Sequence, residues 1–387
     1  MQFSAMVLSM YVDVDDAPED DERILSLALE QSLMAAQLGF NPFFTEHHFR
    51  GPWHSNPMQF AAYVAPLIPE DVWLGFGVLS LGYYHPVRLL ESMNMLDQLT
   101  KGRAVFGVGS GFSGIEPPGL GLTPEHHGSS RAADEALDIL QKLWAFRNGD
   151  PEYAFETEVY RGTIARRVVP GPYRKPHPTI ITTARREPAL IRAAQNGWPV
   201  FAGTWGDHEY LIEQMRTYRR LLAEANHPQR VIDECLQWCT YDWLSVVVAD
   251  SDEQALAKAH EARTERMAFR QQAAEKHGQS THGPAMMRGP GKPNAGAFAR
   301  GGDMDHIIAG NPDTVAAEVQ KLIDVGINHI LVRFMGEWPG ETQPINERSM
   351  RLFSTEVLPR FKDVPPISEP RQIDPSYVSP AEARGIG

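Results

Sequence analysis

The chain is poor in cysteine, in clustered basic charge and in long apolar runs, and each shortage removes a class of protein. Its two cysteines, Cys235 and Cys239, lie four apart in 387 residues. That spacing matches neither a disulfide framework nor a CxxC redox or zinc motif, so both read as buried filler in a reducing compartment. Lysine and arginine total 36 against 49 acids, a net charge of −13. Without a basic stripe to follow phosphates, no nucleic-acid partner is expected. No run of about eighteen apolar residues is present to span a bilayer, so no membrane association is expected. The first residues, MQFSAMVLSMYVDVDD, lack a basic segment and turn acidic at once, unlike a secretory signal. The expectation is a soluble, cytoplasmic protein.

What is present is an alternation. Hydrophobic residues make up 42% of the chain, and 30 prolines and 32 glycines punctuate it, as many short loops require. Apolar, β-rich runs at 3–9, 41–46, 72–79, 103–109, 178–183, 198–203, 244–250 and 328–334 predict eight strands. Helical stripes fall between them: Leu25, Leu29, Ser32 and Ala36; Leu89, Met93 and Leu96; Ala133, Leu137, Leu140 and Trp144; Val315, Val319, Leu322 and Ile323. Asn311-Pro312 supplies a cap and a first-turn proline to the last of these. Eight such repeats predict a parallel α/β fold, a (β/α)8 TIM barrel with insertions, as one domain over 1–362. A doubly wound sheet would need a GxGxxG turn after its first strand, and none is there. Residues 147–177 form an excursion. The Gly- and Pro-rich stretch 278–302, after strand seven, predicts a mobile lid, and 363–387 a Pro-rich tail.

In such a barrel the working residues stand at the C-terminal ends of the strands. The stretch NPFFTEHHF begins as a buried strand and ends in Glu46, His47 and His48. Adjacent strand residues face opposite sides, so the two histidines cannot chelate one metal in the manner of an HExxH helix. Spacing leaves open whether one is catalytic or both are strand-end polar groups satisfied by hydrogen bonds. The glycines of GVGSGF, 107–112, permit close backbone approach to a ligand. Arg131, opening a helix after Ser129-Ser130, and Arg185-Arg186, ahead of another, make two anion-friendly turns that suggest a phosphate. Tyr11, Trp53, Phe112 and Trp205 are candidates for an apolar pocket wall.

These residues resemble the bacterial luciferase-like flavin monooxygenases. The resemblance rests on EHHF at 46–49, HPVRLLESMNMLDQLTKGRAVFGVGSGF at 85–112, SSRAADEALDIL from Ser129, and IAGNPDTVAAEV with GINHILVRF near the end. It covers most of the chain in the family's order. It implies a barrel that takes reduced FMN from a separate flavin reductase, reacts it with O2 to a C4a-peroxyflavin, and oxygenates a small or medium apolar organic substrate. Residue by residue, it implies His47 as the catalytic histidine with Glu46 beside it at the cofactor, and a non-prolyl cis peptide at Gly77-Val78 beneath the flavin. Phosphate and ribityl contacts fall on Ser110, Arg131 and the turn Ala184-Arg185-Arg186; no metal is implied. Gly109 and Ser110 stand where luciferase itself carries a cysteine and an arginine, so light emission is not expected. Two alternatives stay open: an F420-dependent hydride-transfer enzyme of the same barrel superfamily, and a non-catalytic flavin-binding partner subunit. Helices 57–67 and 87–99 carry more apolar surface than one barrel needs to cover, and the resemblance implies a homodimer there, or a heterodimer with a related chain.

Overall fold

The computed structural model describes residues 1–7, 18–48, 54–111, 116–123, 130–184, 187–202, 208–277, 307–336, 338 and 340–365. Tyr11, Trp53, Phe112, Arg185, Arg186, Trp205, the 278–302 lid and nearly all of the 363–387 tail lie outside the described residues.

In chain order the elements are β1 (Gln2–Val7), α1 (Pro18–Gln37), β2 (Asn41–Phe44), α2 (Pro57–Val64), β3 (Leu74–Ser80), α3 (Pro86–Leu99), β4 (Ala104–Gly109), the short turn α4 (Glu116–Gly119), and α5 (Ser130–Ala145). A hairpin of β5 (Tyr153–Glu156) and β6 (Arg161–Ile164) fills part of the predicted excursion. Then follow β7 (Thr179–Thr183), α6 (Glu187–Asn196), β8 (Val200–Phe201), α7 (His208–Glu224), α8 (Gln229–Gln237), β9 (Thr240–Val248), α9 (Asp252–His277), β10 (Ile308–Gly310), α10 (Pro312–Asp324), β11 (His329–Phe334) and α11 (Gln343–Leu352). One sheet carries the order β10-β9-β11-β1-β2-β3-β4-β7-β8, and β8 pairs again with β9. The eight predicted strands are thus the strands of a closed parallel (β/α)8 barrel, with β10 added beside β9.

The chain divides into two compact units, Met1–Pro42 with Ile181–Gly387, and Phe43–Ile180. In the first, β1 pairs parallel with β11, and β11 with β9. Phe3, Phe40 and Phe334 pack against Phe353 in edge and tilted contacts with ring centroids 5.4–5.7 Å apart. Asn311 caps α10 as its sequence predicts, accepting from the backbone N–H groups of Asp313 and Thr314. Both cysteines are buried and free.

Two expectations need correction in this unit. The α1 stripe holds in its second half, where Ser32 and Ala36 are buried, and is rotated in its first: Leu25 is exposed and Leu29 half-buried, while Ile24 and Ala28 are buried. Small alanines let that face approach closely, and Ser32 enters it because its hydroxyl donates to the Ala28 carbonyl. Strand seven starts at Thr240, four residues early, since Thr240, Tyr241 and Trp243 suit a strand and Asp242 does not prevent it. The helix α8 was hidden by its short, polar sequence.

In the second unit β2, β3 and β4 pair parallel, with Phe43 opposite Gly75 and Phe76 opposite Phe106. Gly75 admits the Phe43 ring, whose nearest atom would lie 2.1 Å from any Cβ there. The predicted stripes of α3 and α5 are buried throughout. The register of β3 against β4 shifts between Phe76 and Leu79, and there the Gly77-Val78 peptide is cis, as expected.

Candidate active site

The site grows from the end of β2. After Phe44 the chain continues through Thr45, Glu46 and His47, all buried, and is tied by backbone bonds from His47 N–H to the His54 carbonyl and from His54 N–H to the Thr45 carbonyl. It is tied equally to β3: the Thr45 hydroxyl donates to the Gly77 carbonyl at 2.9 Å, and the Glu46 N–H to the Val78 carbonyl at 3.3 Å. The cis peptide and the histidine segment are therefore one hydrogen-bonded piece.

Two buried carboxylates organise it. Glu46 accepts from the Ser80 N–H at 2.7 Å and from the Tyr84 hydroxyl. Burial, and then the Glu46 charge, push the Tyr84 pKa far above the ordinary tyrosine value, so it stays a donor. Glu116, fully buried, lies 2.9 Å from His47 Nδ1 through Oε1. The same oxygen accepts the His48 N–H at 2.7 Å, and Oε2 accepts the Tyr83 hydroxyl at 2.9 Å. Burial alone would raise the Glu116 pKa, but the His47 bond and charge, the His48 N–H and the Tyr83 hydroxyl outweigh it and leave it below the ordinary value. An ionised carboxylate only accepts, so His47 Nδ1 carries the hydrogen of this bond.

The side chain of His48 takes a different partner, although both histidines lie beyond the end of β2 and not within the strand that was expected to reach Glu46. Its Nε2 lies 3.6 Å from Glu46 Oε1, an ion-pair distance, and its ring packs edge-on to Tyr83. Contact with Glu46 raises its pKa against the opposing effect of burial, with the charges of both carboxylates adding to the rise. Among the described residues no group of three or more His, Cys, Asp or Glu is arranged to hold a metal.

Beside this cluster the barrel wall opens. Leu74, Gly75, Phe76, Leu79 and Ser80 of β3 are buried, while Gly77 and Val78, the pair joined by the cis peptide, are partly accessible. Ser110 and Gly111, just past β4, are likewise partly accessible. Gly111 has φ +70°, and a Cβ there would meet the Tyr83 hydroxyl at 2.9 Å and Ser80 Oγ at 3.2 Å. At Gly111 the missing side chain makes room for Tyr83 and Ser80, whereas Gly77 leaves accessible backbone on which a flat group can rest.

The structure brings Glu46, His47, Gly77 and Val78 together. Ser110 follows β4, with its hydroxyl donating to the Gly111 carbonyl at 3.3 Å. Arg131 sits exposed on α5 in an ion pair with Glu158. Ala184 is buried after β7, and its carbonyl accepts from Gln214 Nε2 at 2.6 Å. Sequence reasoning missed Glu116, Tyr83 and Tyr84. The available signals were an acid inside the Gly- and Pro-rich run GIEPPGLGL and a tyrosine pair directly after strand three.

No helix among the described residues is long and apolar enough to cross a membrane. Limonene 1,2-monooxygenase of Rhodococcus erythropolis is 34% identical over 111 residues, 28% of each chain. A 4-hydroxyprotoasukamycin monooxygenase of Streptomyces nodosus subsp. asukaensis is 29% identical over 245 residues, 62% of this chain and 63% of that one. The chain thus spans less than two thirds of the length of these curated relatives. Three solved structures share the fold: a Streptomyces bottropensis monooxygenase, with TM-score 0.70, 21% identity and coverage of 93% and 100% of the two chains; the FMN-bound oxygenating constituent of 3,6-diketocamphane monooxygenase from Pseudomonas putida, 0.64, 17%, 96% and 100%; and the F420-dependent tetrahydromethanopterin reductase of Methanopyrus kandleri, 0.59, 19%, 93% and 99%. The family model described as luciferase-like monooxygenase matches residues 7–329. With most of its length matched, and with the barrel those relatives share, this chain belongs to the luciferase-like monooxygenase family.

Proposed function

We propose that the chain is a monooxygenase that uses reduced FMN, delivered by a separate flavin reductase, and O2 to oxygenate a small or medium apolar organic molecule. The observation that carries this reading is the hydrogen-bonded unit of buried His47 and Glu116 with the accessible cis Gly77-Val78 peptide. FMN, when bound, supplies the electrons and the oxygen-activating chemistry. Gly77 and Val78 would support its ring, and Ser110, Arg131, Ala184, Arg185 and Arg186 would hold its ribityl chain and phosphate. Arg131 would exchange Glu158 for the phosphate at small cost, because exposed ion pairs contribute about 1 kcal/mol or less.

The chain's own chemistry is proton control. Glu116 holds the His47 ring by Nδ1, so a proton is stored or released at Nε2. The carboxylate steadies the charged ring inside an otherwise low-dielectric wall. Tyr11, Trp53, Phe112 and Trp205 are proposed to wall the substrate space, and the 278–302 segment to keep water out. Self-association is proposed through α2, α3 and the turn after α2, where Tyr63, Leu67, Met95 and Leu99 expose apolar surface.

The test is an anaerobic fluorescence titration with oxidised and reduced FMN, followed by mixing with O2. Saturable binding of reduced FMN and O2 uptake are expected. Binding of neither form would overturn the reading. Formation of reduced F420 without O2 uptake would replace it with the hydride-transfer alternative.

A further inference from the structure

Away from His47, α3, α5 and the 166–176 segment enclose a cleft of about 210 Å3. Leu90, Leu143, Trp144 and Phe146 make its apolar side, Arg147, Arg167 and Lys175 stand around it, and no acid lines it. None of the three cations is ion-paired to a carboxylate among the described residues. The Arg147 guanidinium donates to the Trp144 and Phe146 carbonyls at 2.8 and 3.1 Å, and the Lys175 ammonium to the Pro172 carbonyl. The Arg167 backbone N–H donates to Asn148 Oδ1 at 3.1 Å.

Two of these cations converge. A Cβ on Gly171 would lie 3.6 Å from Arg167 Nη1 and 3.9 Å from Lys175 Nζ, so both heads flank one small volume. Like charges brought together repel; Asp97 acts on Lys175 from behind the segment and Asp150 accepts the Arg147 backbone N–H, but neither carboxylate lines the cleft itself. Its frame is rigid. Buried Asn94 donates to the Pro170 carbonyl at 2.8 Å and accepts Trp144 Nε1–H at 2.9 Å. Gln98 Nε2 donates to the Gly171 carbonyl at 2.8 Å, and Arg174 N–H to Asp97 at 2.9 Å. The backbone between Arg167 and Lys175 is therefore tied to α3 at Pro170, Gly171 and Arg174, while the exposed cationic side chains remain free to close on a ligand.

We propose that this cleft binds a small organic monoanion, a carboxylate on an apolar or aromatic body, independently of the flavin site. The carboxylate accepts hydrogen bonds from Arg167 and Lys175 over Gly171, and the body lies against Leu90, Leu143 and Trp144. Charge-assisted bonds to Arg and Lys supply the anion selectivity, and the apolar side selects against bare inorganic ions.

The test is calorimetric titration of the full chain with benzoate at low salt. Saturable one-to-one binding is expected, weakened about tenfold or more in the Arg167→Gln/Lys175→Gln double variant, as loss of two charge-assisted bonds implies. Gly171→Asp should abolish it: the added Cβ has ordinary contact room, and its carboxylate fills the site from within. Benzyl alcohol and inorganic phosphate should each bind about tenfold more weakly than benzoate. His47→Ala should leave benzoate binding unchanged, which separates this result from the FMN titration. Circular dichroism matching wild type establishes that both cleft variants fold. Absence of saturation by about 10 mM benzoate, binding unaltered by both cleft variants, equal affinity for phosphate, or loss in His47→Ala would each overturn the proposal.

Discussion

Two buried histidines in this chain occupy opposite electrostatic settings. His329, wholly buried, sits between two hydroxyls: Ser4 Oγ lies 2.7 Å from Nε2 and Thr240 Oγ1 2.7 Å from Nδ1. Burial pushes its pKa down to about 3. Hydroxyls can donate or accept, so the neutral ring is fully satisfied and has no reason to change state. His47 is as thoroughly enclosed, yet its Nδ1 faces an ionised Glu116. Burial by itself makes a histidine inert; a buried carboxylate beside it makes protonation affordable. The carboxylate is what separates His47 from His329.

Exchanging the two roles by mutation tests that contrast, beginning with the largest effect. His47→Ala should reduce oxygenated product by about 10²–10⁴-fold, the range for loss of a positioned acid–base group, with a lowered melting temperature because buried Glu116 loses one partner while keeping the His48 N–H and the Tyr83 hydroxyl. Unchanged turnover with a collapsed melting temperature would reverse the assignment. His329→Gln should act on stability instead, costing about 1–3 kcal/mol through two disturbed buried hydrogen bonds while flavin binding persists. Its pH signature has a definite sign. Below about pH 6.5 the unfolded histidine takes a proton that the folded one refuses down to about pH 3, so wild-type stability falls as pH drops through that window. Chemical denaturation of His329→Gln across the window should show a shallower fall.

Glu116→Gln gives the smallest effect and the sharpest diagnosis. The neutral amide can still bond to His47 Nδ1 but no longer favours the charged ring, so turnover should fall roughly tenfold with an altered pH–rate profile. Since the Glu116 pKa is lowered on folding, wild type holds a stability contribution above the ordinary glutamate pKa and loses it as pH falls through the folded value. The variant should lack that acid-side loss in denaturant titrations. A pH–rate profile identical to wild type would mean that Glu116 only packs.

Much of the barrel was legible because its signals are local. Each strand is an apolar run, each helix a stripe, and Asn311-Pro312 declares a helix start within three residues. The first half of the α1 stripe went astray because periodicity fixes spacing but not rotation when Ile24 and Leu25 compete for the inner face. The Gly77-Val78 cis bond was legible only through the resemblance, as nothing in glycine followed by valine calls for it. The site divides in the same way. Although only the resemblance chose His47 over His48, Glu46, His47 and His48 could be picked from nine adjacent residues.

Their meaning could not, because it depends on groups far off in the chain. Glu116 reaches His47 across 69 positions, and Tyr83 meets Glu116 across 33. The cluster of cations at Arg147, Arg167 and Lys175 likewise exists only where α5 and the 166–176 segment fold against α3. By itself, then, the sequence determined the succession of strands and helices and the presence of EHHF at a strand end, since pattern and propensity act between neighbours. Tertiary structure alone decided which histidine faces a carboxylate and which faces hydroxyls, because desolvation and hydrogen bonding act between groups that only the closed barrel brings within 3 Å.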